Sequence, residues 1–269
     1  MEVRGAAAGE PSEKNPNLPA GNSRTGPAAG DDGLLLFLHG GCMFRVPDGV
    51  QPPKAGSLFF DRHVRVVPGE RVLEIGAGLG LTAVRLARLG GHVIATDVVP
   101  AAVETIRQNA LLNGVTVDAR LGDGYAPVSG DERFDVICAN LPQMPTPPDR
   151  ERDDAVAAAD NGGLDGWAIL DRVIAGAPAH LVPGGRLVFT IFGFLGRKQA
   201  LAKAEAAGLV PSVIGTEIQS FPRIGYERID HLRSLDVEGT LPPEGMPRTV
   251  ERLVIEAVRH ARGPRRSIS

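Results

Sequence analysis

The stretch Leu73-Glu74-Ile75-Gly76-Ala77-Gly78-Leu79-Gly80 decides how this chain of 269 residues folds. It includes the end of an apolar run, Arg71 to Ile75, that predicts a buried strand, and it leads into a helix predicted over residues 81–89. Glycines let a backbone turn sharply and lie against a ligand with no side chain between them. A strand, a glycine turn and a helix in this order predict a ligand-binding turn at the carboxyl edge of a doubly wound sheet.

Strands and helices alternate along most of the remaining chain. The patterns predict further strands over residues 92–96, 115–121, 134–139, 186–192, 210–216 and 250–258, and helices over residues 100–113, 167–181 and 198–207. This alternation predicts an α/β fold, with a mostly parallel seven-stranded sheet covered by helices on both faces. Residues 1–32 contain few large apolar side chains, so we expect a disordered tail there and one folded domain over residues 33–262.

The composition narrows the class of protein. A formal net charge of −3 argues against a protein that holds nucleic acid through a basic face. The two cysteines, Cys42 and Cys138, have no metal-ligand spacing, so neither a disulfide framework nor a metal site is predicted. Apolar stretches such as Leu34 to Leu38 are too short to span a membrane, and the first residues lack the pattern of a secretory signal. We therefore expect a cytoplasmic protein.

Three acidic side chains lie at or near the ends of successive predicted strands. They are Glu74, Asp97 and, in Leu121-Gly122-Asp123-Gly124-Tyr125, Asp123. Asp97 can accept both hydroxyls of a ribose, as an acid at this place does in nucleotide-binding folds. A dinucleotide-binding turn would need its third glycine at position 81, which is Leu81. This spacing, and the absence of a Tyr-x-x-x-Lys pair, argue against an NAD-dependent oxidoreductase.

The pattern Gly-x-Gly-x-Gly, with an acid two residues before it, resembles the first motif of class I S-adenosylmethionine-dependent methyltransferases. Three further segments are similar to release-factor glutamine N5-methyltransferases: Val46 to Pro53, Asn109 to Gly114 and Asp160 to Gly166. The resemblance covers roughly residues 40–260. It implies the class I fold, with S-adenosyl-L-methionine as the cofactor.

The same resemblance implies roles for the acids. Glu74 would hold the cofactor's ammonium group, Asp97 its ribose and Asp123 its adenine amino group. The full set of expected cofactor-binding residues is Glu74, Gly76, Ala77, Gly78, Gly80, Asp97, Val98, Gly122, Asp123, Gly124 and Asn140.

The fourth predicted strand ends in Asn140-Leu141-Pro142-Gln143. Asparagine is a poor strand residue and proline cannot donate to a sheet ladder, so the sequence indicates a polar group held on a rigid backbone. Asn140-Leu141-Pro142 is similar to a motif of rRNA adenine dimethyltransferases. In the resemblance these three residues are catalytic and align an attacking nitrogen with the transferred methyl group.

Gln143 stands where the related motif has an aromatic residue, which favours a polar or amide-bearing acceptor over a nucleobase. Gln143, with Phe221 and Tyr226 from an insert over residues 217–249, is expected to bind the substrate. Release-factor enzymes carry a helical recognition domain where this chain has its predicted tail, which favours a small-molecule or peptide acceptor.

We therefore expect N-methylation of a small molecule, or of an amide or amine in a protein or peptide. O-methylation of a small metabolite, adenine N-methylation in RNA and cofactor binding without catalysis stay open as alternatives. The sequence does not predict the oligomeric state.

Overall fold

A computed structural model describes residues 28–29, 35–47, 52–150 and 160–260. Nearly all of the tail predicted over residues 1–32 lies outside these ranges. Its described part, Ala28–Ala29, is a two-residue strand, β1, that pairs antiparallel with β2 (Leu35–His39). Strands β2 and β3 (Cys42–Val46) form an antiparallel hairpin around Gly40 and Gly41.

The central sheet has seven strands in the order β6-β5-β4-β7-β8-β10-β9. They are β4 (Arg71–Ile75), β5 (His92–Asp97), β6 (Val117–Leu121), β7 (Phe134–Ala139), β8 (Leu181–Phe192), β9 (Leu209–Ser220) and β10 (Thr249–Arg259). The first five pair in parallel, whereas β10 is antiparallel to both β8 and β9. The predicted mostly parallel, seven-stranded sheet is confirmed.

Three predicted strand bounds differ from the structure by two residues or more. Strand β9 continues to Ser220 rather than ending at Thr216, so it takes in the first four residues of the predicted insert. Strand β6 begins at Val117, two residues later than expected. Strand β8 begins at Leu181 rather than at Arg186, because a register shift opposite Phe134 and Val136 takes up the intervening proline and glycines without breaking the pairing with β7.

Helices cover both faces of the sheet. They are α1 (Ala55–His63), α2 (Leu81–Arg88), α3 (Pro100–Leu112), α4 (Ala168–His180), α5 (Arg197–Ala206) and the short α6 (Arg223–Tyr226) and α7 (Ile229–Leu235). Helices α1 to α3 pack with Val188 and Val254 on one face, and α4 and α5 pack with Phe189 and Leu253 on the other. Since side chains alternate along a strand, Arg252 lies on the same face of the sheet as Val254.

Side-chain amides of α3 hold the outer edge of β3. Asn109 Oδ1 accepts a hydrogen bond from the Arg45 N–H at 2.8 Å, and its Nδ2 donates to the carbonyls of Arg45 and Leu79 at 3.2 and 2.9 Å. One turn later, Asn113 accepts from the Met43 N–H at 2.9 Å and donates to the Met43 carbonyl at 2.7 Å. The helix therefore satisfies the edge of the hairpin much as another strand would.

A buried ionic network ties the hairpin to α1 and α2. Asp61, which is 1% exposed, accepts a hydrogen bond from Arg85 Nε at 2.7 Å and lies 2.8 Å from His39 Nε2. Arg85 also donates to the backbone carbonyls of Asp61 and Val64. Asp61 is buried and the Arg85 side chain is only 15% exposed, so each charge depends on the other for compensation.

Candidate functional site

A cavity of about 450 Å³ opens at the carboxyl edge of the parallel strands. This volume is typical of a site for a small molecule. Most residues expected to bind the cofactor line it, namely Glu74, Gly76, Ala77, Gly78, Asp97, Val98, Gly122, Asp123, Gly124 and Asn140. The expected catalytic residues Leu141 and Pro142 and the expected substrate residue Gln143 line it too.

The glycine turn forms the floor of the cavity. Gly76 and Gly78 have φ values of 69° and 57°, in the left-handed region that favours glycine. A Cβ atom on Gly76 would lie 2.6 Å from Leu141 Cδ2, whereas one on Gly78 would meet no atom of the described residues within 4 Å. Gly76 therefore allows the turn after β4 to pack against the turn after β7, and Gly78 leaves the floor open.

The structure does not bring Gly80 to the cavity wall. This residue is the N-cap of α2 with a φ of 84°, and a Cβ atom on it would lie 3.3 Å from Ile106 on α3. The third glycine of the turn therefore permits a tight turn and close packing between two helices.

Glu74 is buried in the cavity wall. Its side chain is 5% exposed, and Oε2 has no hydrogen-bond partner among the described residues. Burial, assisted by the charge of Asp61, raises the pKa of this carboxyl to about 8, although the Ala83 N–H and the charge of Arg85 act in the opposite direction. A cationic group in the cavity would satisfy the unpartnered oxygen, so the site fits the ammonium of S-adenosyl-L-methionine.

Asp97 is fixed by the backbone on both of its oxygens. Oδ2 accepts a hydrogen bond from the Gly78 N–H at 2.9 Å, and Oδ1 accepts one from the Val99 N–H at 2.9 Å. Each carboxylate oxygen retains a second lone pair, so the group could also accept two ribose hydroxyls. Strand β5 and the glycine turn thus orient this carboxylate before any ligand binds.

Asp123 lines the cavity but is paired in the structure with Arg172, whose Nη1 and Nη2 lie 2.5 and 3.3 Å from Oδ2 and Oδ1. Both side chains are more than half exposed, at 51% and 60%. Such a surface pair contributes little to stability. Asp123 could therefore exchange Arg172 for an adenine amino group at small cost.

The turn after β7 presents two amide side chains. Asn140 Nδ2 donates to Ser57 Oγ at 3.5 Å, which orients the amide and leaves its Oδ1 as an acceptor. Gln143 is 2% exposed, and its Nε2 donates to the Thr190 carbonyl. Its Oε1 is buried without a hydrogen-bond partner among the described residues. Two amide side chains therefore lie at the cavity wall, and one of them, Gln143, has an unsatisfied acceptor.

The glycine-rich segment that begins at Asp160 packs behind this turn. Met144 donates to the Asp160 carbonyl at 3.0 Å and accepts from the Gly162 N–H at 2.9 Å. Cβ atoms on Gly162 and Gly166 would lie 2.7 and 2.6 Å from backbone atoms of Gln143. Glycines are needed here because two backbones touch, and this contact holds the turn in place.

The structure does not bring the expected substrate residues Phe221 and Tyr226 to the cavity. Phe221 is 5% exposed and packs in the core with its ring centroid 5.0 Å from that of Tyr226. Their neighbour Pro222 lines the cavity instead.

Sequence reasoning missed several residues of the cavity wall, among them Ser57, Asp160, Phe192 and Arg252. The signal for Arg252 was present, since a charge interrupts the apolar run of β10.

Among the described residues, no helix is long and apolar enough to cross a membrane.

Comparison with known proteins assigns this chain to a family. The family model described as the methyltransferase small domain matches residues 52–207. A protein of Methanocaldococcus jannaschii that is named a "putative protein N5-glutamine methyltransferase" is 33% identical over 178 residues, which cover 66% of this chain and 85% of that protein. A release factor glutamine methyltransferase of Cereibacter sphaeroides is 36% identical over 204 residues, 71% of each chain.

Solved structures share the fold. A chain of the E. cuniculi Mtq2–Trm112 complex, described as methylating the eRF1 translation termination factor, has a TM-score of 0.53 at 17% identity and covers 78% of this chain and 99% of its own. The T. thermophilus 16S rRNA N2 G1207 methyltransferase, solved with AdoMet and guanosine, has a TM-score of 0.53 at 19% identity. The match covers 84% of this chain and 50% of that protein. The predicted class I fold, the cofactor and the enzyme class are thereby confirmed: this chain belongs to the methyltransferase small domain family and is an S-adenosyl-L-methionine-dependent methyltransferase.

Proposed function

We propose that this enzyme methylates the side-chain amide nitrogen of a glutamine residue in a protein. The observation that carries the proposal is the buried Gln143 Oε1, which has no hydrogen-bond partner among the described residues and lies three residues from Asn140 in the same turn. An unsatisfied buried acceptor is costly, so a site that keeps one is suited to a ligand that donates an N–H bond.

The chemistry of an amide explains why two acceptors would be useful. The cofactor supplies an electrophilic methyl group on a sulfonium. An amide nitrogen is a weak nucleophile because its lone pair is conjugated with the carbonyl. Asn140 Oδ1 and Gln143 Oε1 would each accept an N–H bond, hold the nitrogen in line and favour pyramidal geometry. Orientation of this kind can lower a barrier by ~7–11 kcal/mol in favourable cases.

The turn itself is built for this positioning. The Leu141 side chain packs against Gly76, and Pro142 restricts the backbone beside Asn140. We assign Asn140, Leu141 and Pro142 as the groups that align the acceptor, and Glu74, Asp97 and Asp123 as those that bind the cofactor's ammonium, ribose and adenine.

The acceptor class is supported by Gln143 and by the relatives. A glutamine replaces the ring that would stack on a nucleobase, and both relatives described above are named for glutamine methylation, one of them for release factors. We therefore propose a protein of translation termination as the substrate.

The test is transfer of a tritiated methyl group to a purified bacterial release factor, with ribosomal RNA assayed in parallel. We expect label in the protein, on a glutamine, that acid hydrolysis releases as methylamine. At saturating cofactor, Asn140→Ala should lose about 100-fold in kcat, because the acceptor nitrogen is no longer held in line. Gln108→Ala is the matched control, because Gln108 is exposed and bonds to Glu104 on the surface of α3. Label confined to ribonuclease-sensitive material, or to a base-labile ester, would refute the proposal.

A further inference from the structure

Arg252 is a buried cation without a hydrogen-bonded anion. It is 9% exposed, and its Nε has no hydrogen-bond partner among the described residues. No carboxylate of the described part of the chain forms an ion pair with it within 4 Å. The side chain lines the same cavity as the glycine turn. Since a buried charge needs compensation, the missing partner of Arg252 is expected in a ligand.

The protein holds the guanidinium in a fixed plane. Its central carbon lies 3.9 Å from the ring centroid of Phe192, and the ring of Phe192 stacks in turn on Phe194 at 5.0 Å. On the side of α1, a Cβ atom on Gly56 would overlap the guanidinium Nη1. A planar cation held between a ring and a helix can present its N–H groups only at its edges, the geometry that matches a carboxylate.

The carboxylate that acts on the charge of Arg252, Asp160, is already paired with a lysine. Lys54 Nζ lies 3.3 Å from Asp160 Oδ1, and both residues line the cavity. Burial lowers the pKa of Arg252 to about 10, with Asp160 acting in the opposite direction, so the guanidinium stays charged at neutral pH. The three groups together carry one net positive charge.

The place of Arg252 in the sheet puts it on the acceptor side. The nucleoside-binding candidate Asp97 lies at the end of β5, on one side of β7, whereas Arg252 lies on β10, two strands beyond β7 on the other side. Arg252 is paired with Phe192, the last residue of β8. At a strand spacing of about 4.8 Å, the distance from the Asn140 turn is roughly 10 Å.

We propose that Arg252 determines acceptor specificity by binding a carboxylate of the substrate protein, close in sequence to the modified residue. The proposal rests on the proposed function, since it assumes that a glutamine enters beside Asn140. An extended peptide advances about 3.3 Å per residue, so the carboxylate belongs to an Asp or Glu two or three residues from the glutamine. The unused donors of the guanidinium then become satisfied when the acceptor binds.

The experiment measures binding and transfer with matched peptides. Capped peptides carry one central glutamine and a single Asp at one, two or three residues on either side, each paired with the Asn version. Calorimetry is done on the protein saturated with S-adenosylhomocysteine, for the wild type, Arg252→Met and Arg252→Lys. The methionine variant replaces a buried charge by an apolar chain of similar length, a change that proteins often tolerate. Arg107→Gln, an exposed arginine on α3, is the matched control.

We expect the wild type and the control to bind one Asp peptide at least about tenfold more tightly than its Asn partner. Arg252→Met should abolish this preference, Arg252→Lys should restore part of it, and both variants should keep their affinity for S-adenosylhomocysteine. Equal binding of all pairs by the wild type would refute the proposal. So would a loss of S-adenosylhomocysteine affinity in Arg252→Met, because the carboxylate would then be that of the cofactor. A preference for Asp without methyl transfer would refute the glutamine reaction and support the carboxylate site.

Discussion

Cofactor binding is expected to depend steeply on pH below neutrality, through Glu74. Burial raises the pKa of this carboxyl to about 8, so it is mostly protonated at pH 7 in the free protein. The cofactor's ammonium binds the ionised form. Glu74 must therefore lose its proton when the cofactor binds, and the proton that leaves can be measured.

The magnitude follows from the pKa. With a value of about 8, the ionised fraction rises from about 1% at pH 6 to about 9% at pH 7, so affinity increases by roughly ninefold over that unit. This corresponds to about 1.3 kcal/mol. At pH 7, binding should release about 0.9 proton. The range below pH 7 is chosen because the α-amino group of the ligand, with an ordinary pKa near 7.7–8.0, is then charged.

The assay is calorimetry with S-adenosylhomocysteine at pH 6.0, 6.5 and 7.0, in two buffers with different enthalpies of ionisation. The difference between the buffers gives the number of protons released. Glu74→Gln should bind more weakly and show no pH dependence in this range. Binding by the wild type that is constant between pH 6 and 7, with no proton released, would refute the assignment of Glu74 to the ammonium.

The raised pKa of Glu74 also predicts how the stability of the protein depends on pH. The folded state binds the Glu74 proton more tightly than the unfolded chain does, so the free energy of unfolding falls as pH rises from about 4.5 to about 8. The shift spans about 3.5 units, which is roughly 5 kcal/mol as an upper limit. Without cofactor, Glu74→Gln should therefore be more stable than the wild type at pH 8, and urea denaturation will show whether it is.

Two further substitutions test the scaffold. Asp61→Asn removes the buried carboxylate that compensates Arg85, whose side chain is 15% exposed, and we expect a loss of about 3–5 kcal/mol in the free energy of unfolding by urea denaturation. Arg172→Ala, which breaks an exposed ion pair, should cost only about 0–1 kcal/mol. Equal losses would contradict a role for the Asp61 network in stability. Gly76→Ala places a Cβ atom 2.6 Å from Leu141 Cδ2, on a residue whose φ is 69°. Cofactor affinity measured by calorimetry should therefore fall at least about tenfold. An unchanged affinity would show that the turn can shift freely.

The sequence predicts features that depend on local backbone chemistry. Strand β4, the glycine turn and Asp97 were placed correctly because the glycines and the strand ends specify a turn by their own geometry. The hairpin of β2 and β3 was missed, although Gly40 and Gly41, both with positive φ, separate two apolar runs in the manner of a two-residue hairpin turn.

Features that depend on tertiary contacts could not be predicted in the same way. Gly80 belongs to the motif, but only the neighbouring α3 shows that it serves packing. Phe221 was expected at the substrate because it lies in an insert, yet the core covers it. A charge in the apolar run of β10 marks Arg252 in the sequence, but only the strand order shows that it lies beside the cavity.

The double amide bridge of Asn109 has a consequence for how the protein opens. One side chain joins the Arg45 backbone in the N-terminal hairpin to the Leu79 carbonyl beside the cofactor floor. If either the hairpin or the floor moves away from Asn109, polar groups lose their hydrogen-bond partners. The hairpin and the floor are thus one cooperative unit in local unfolding, and a ligand that tightens the floor will slow amide exchange in a strand it never touches.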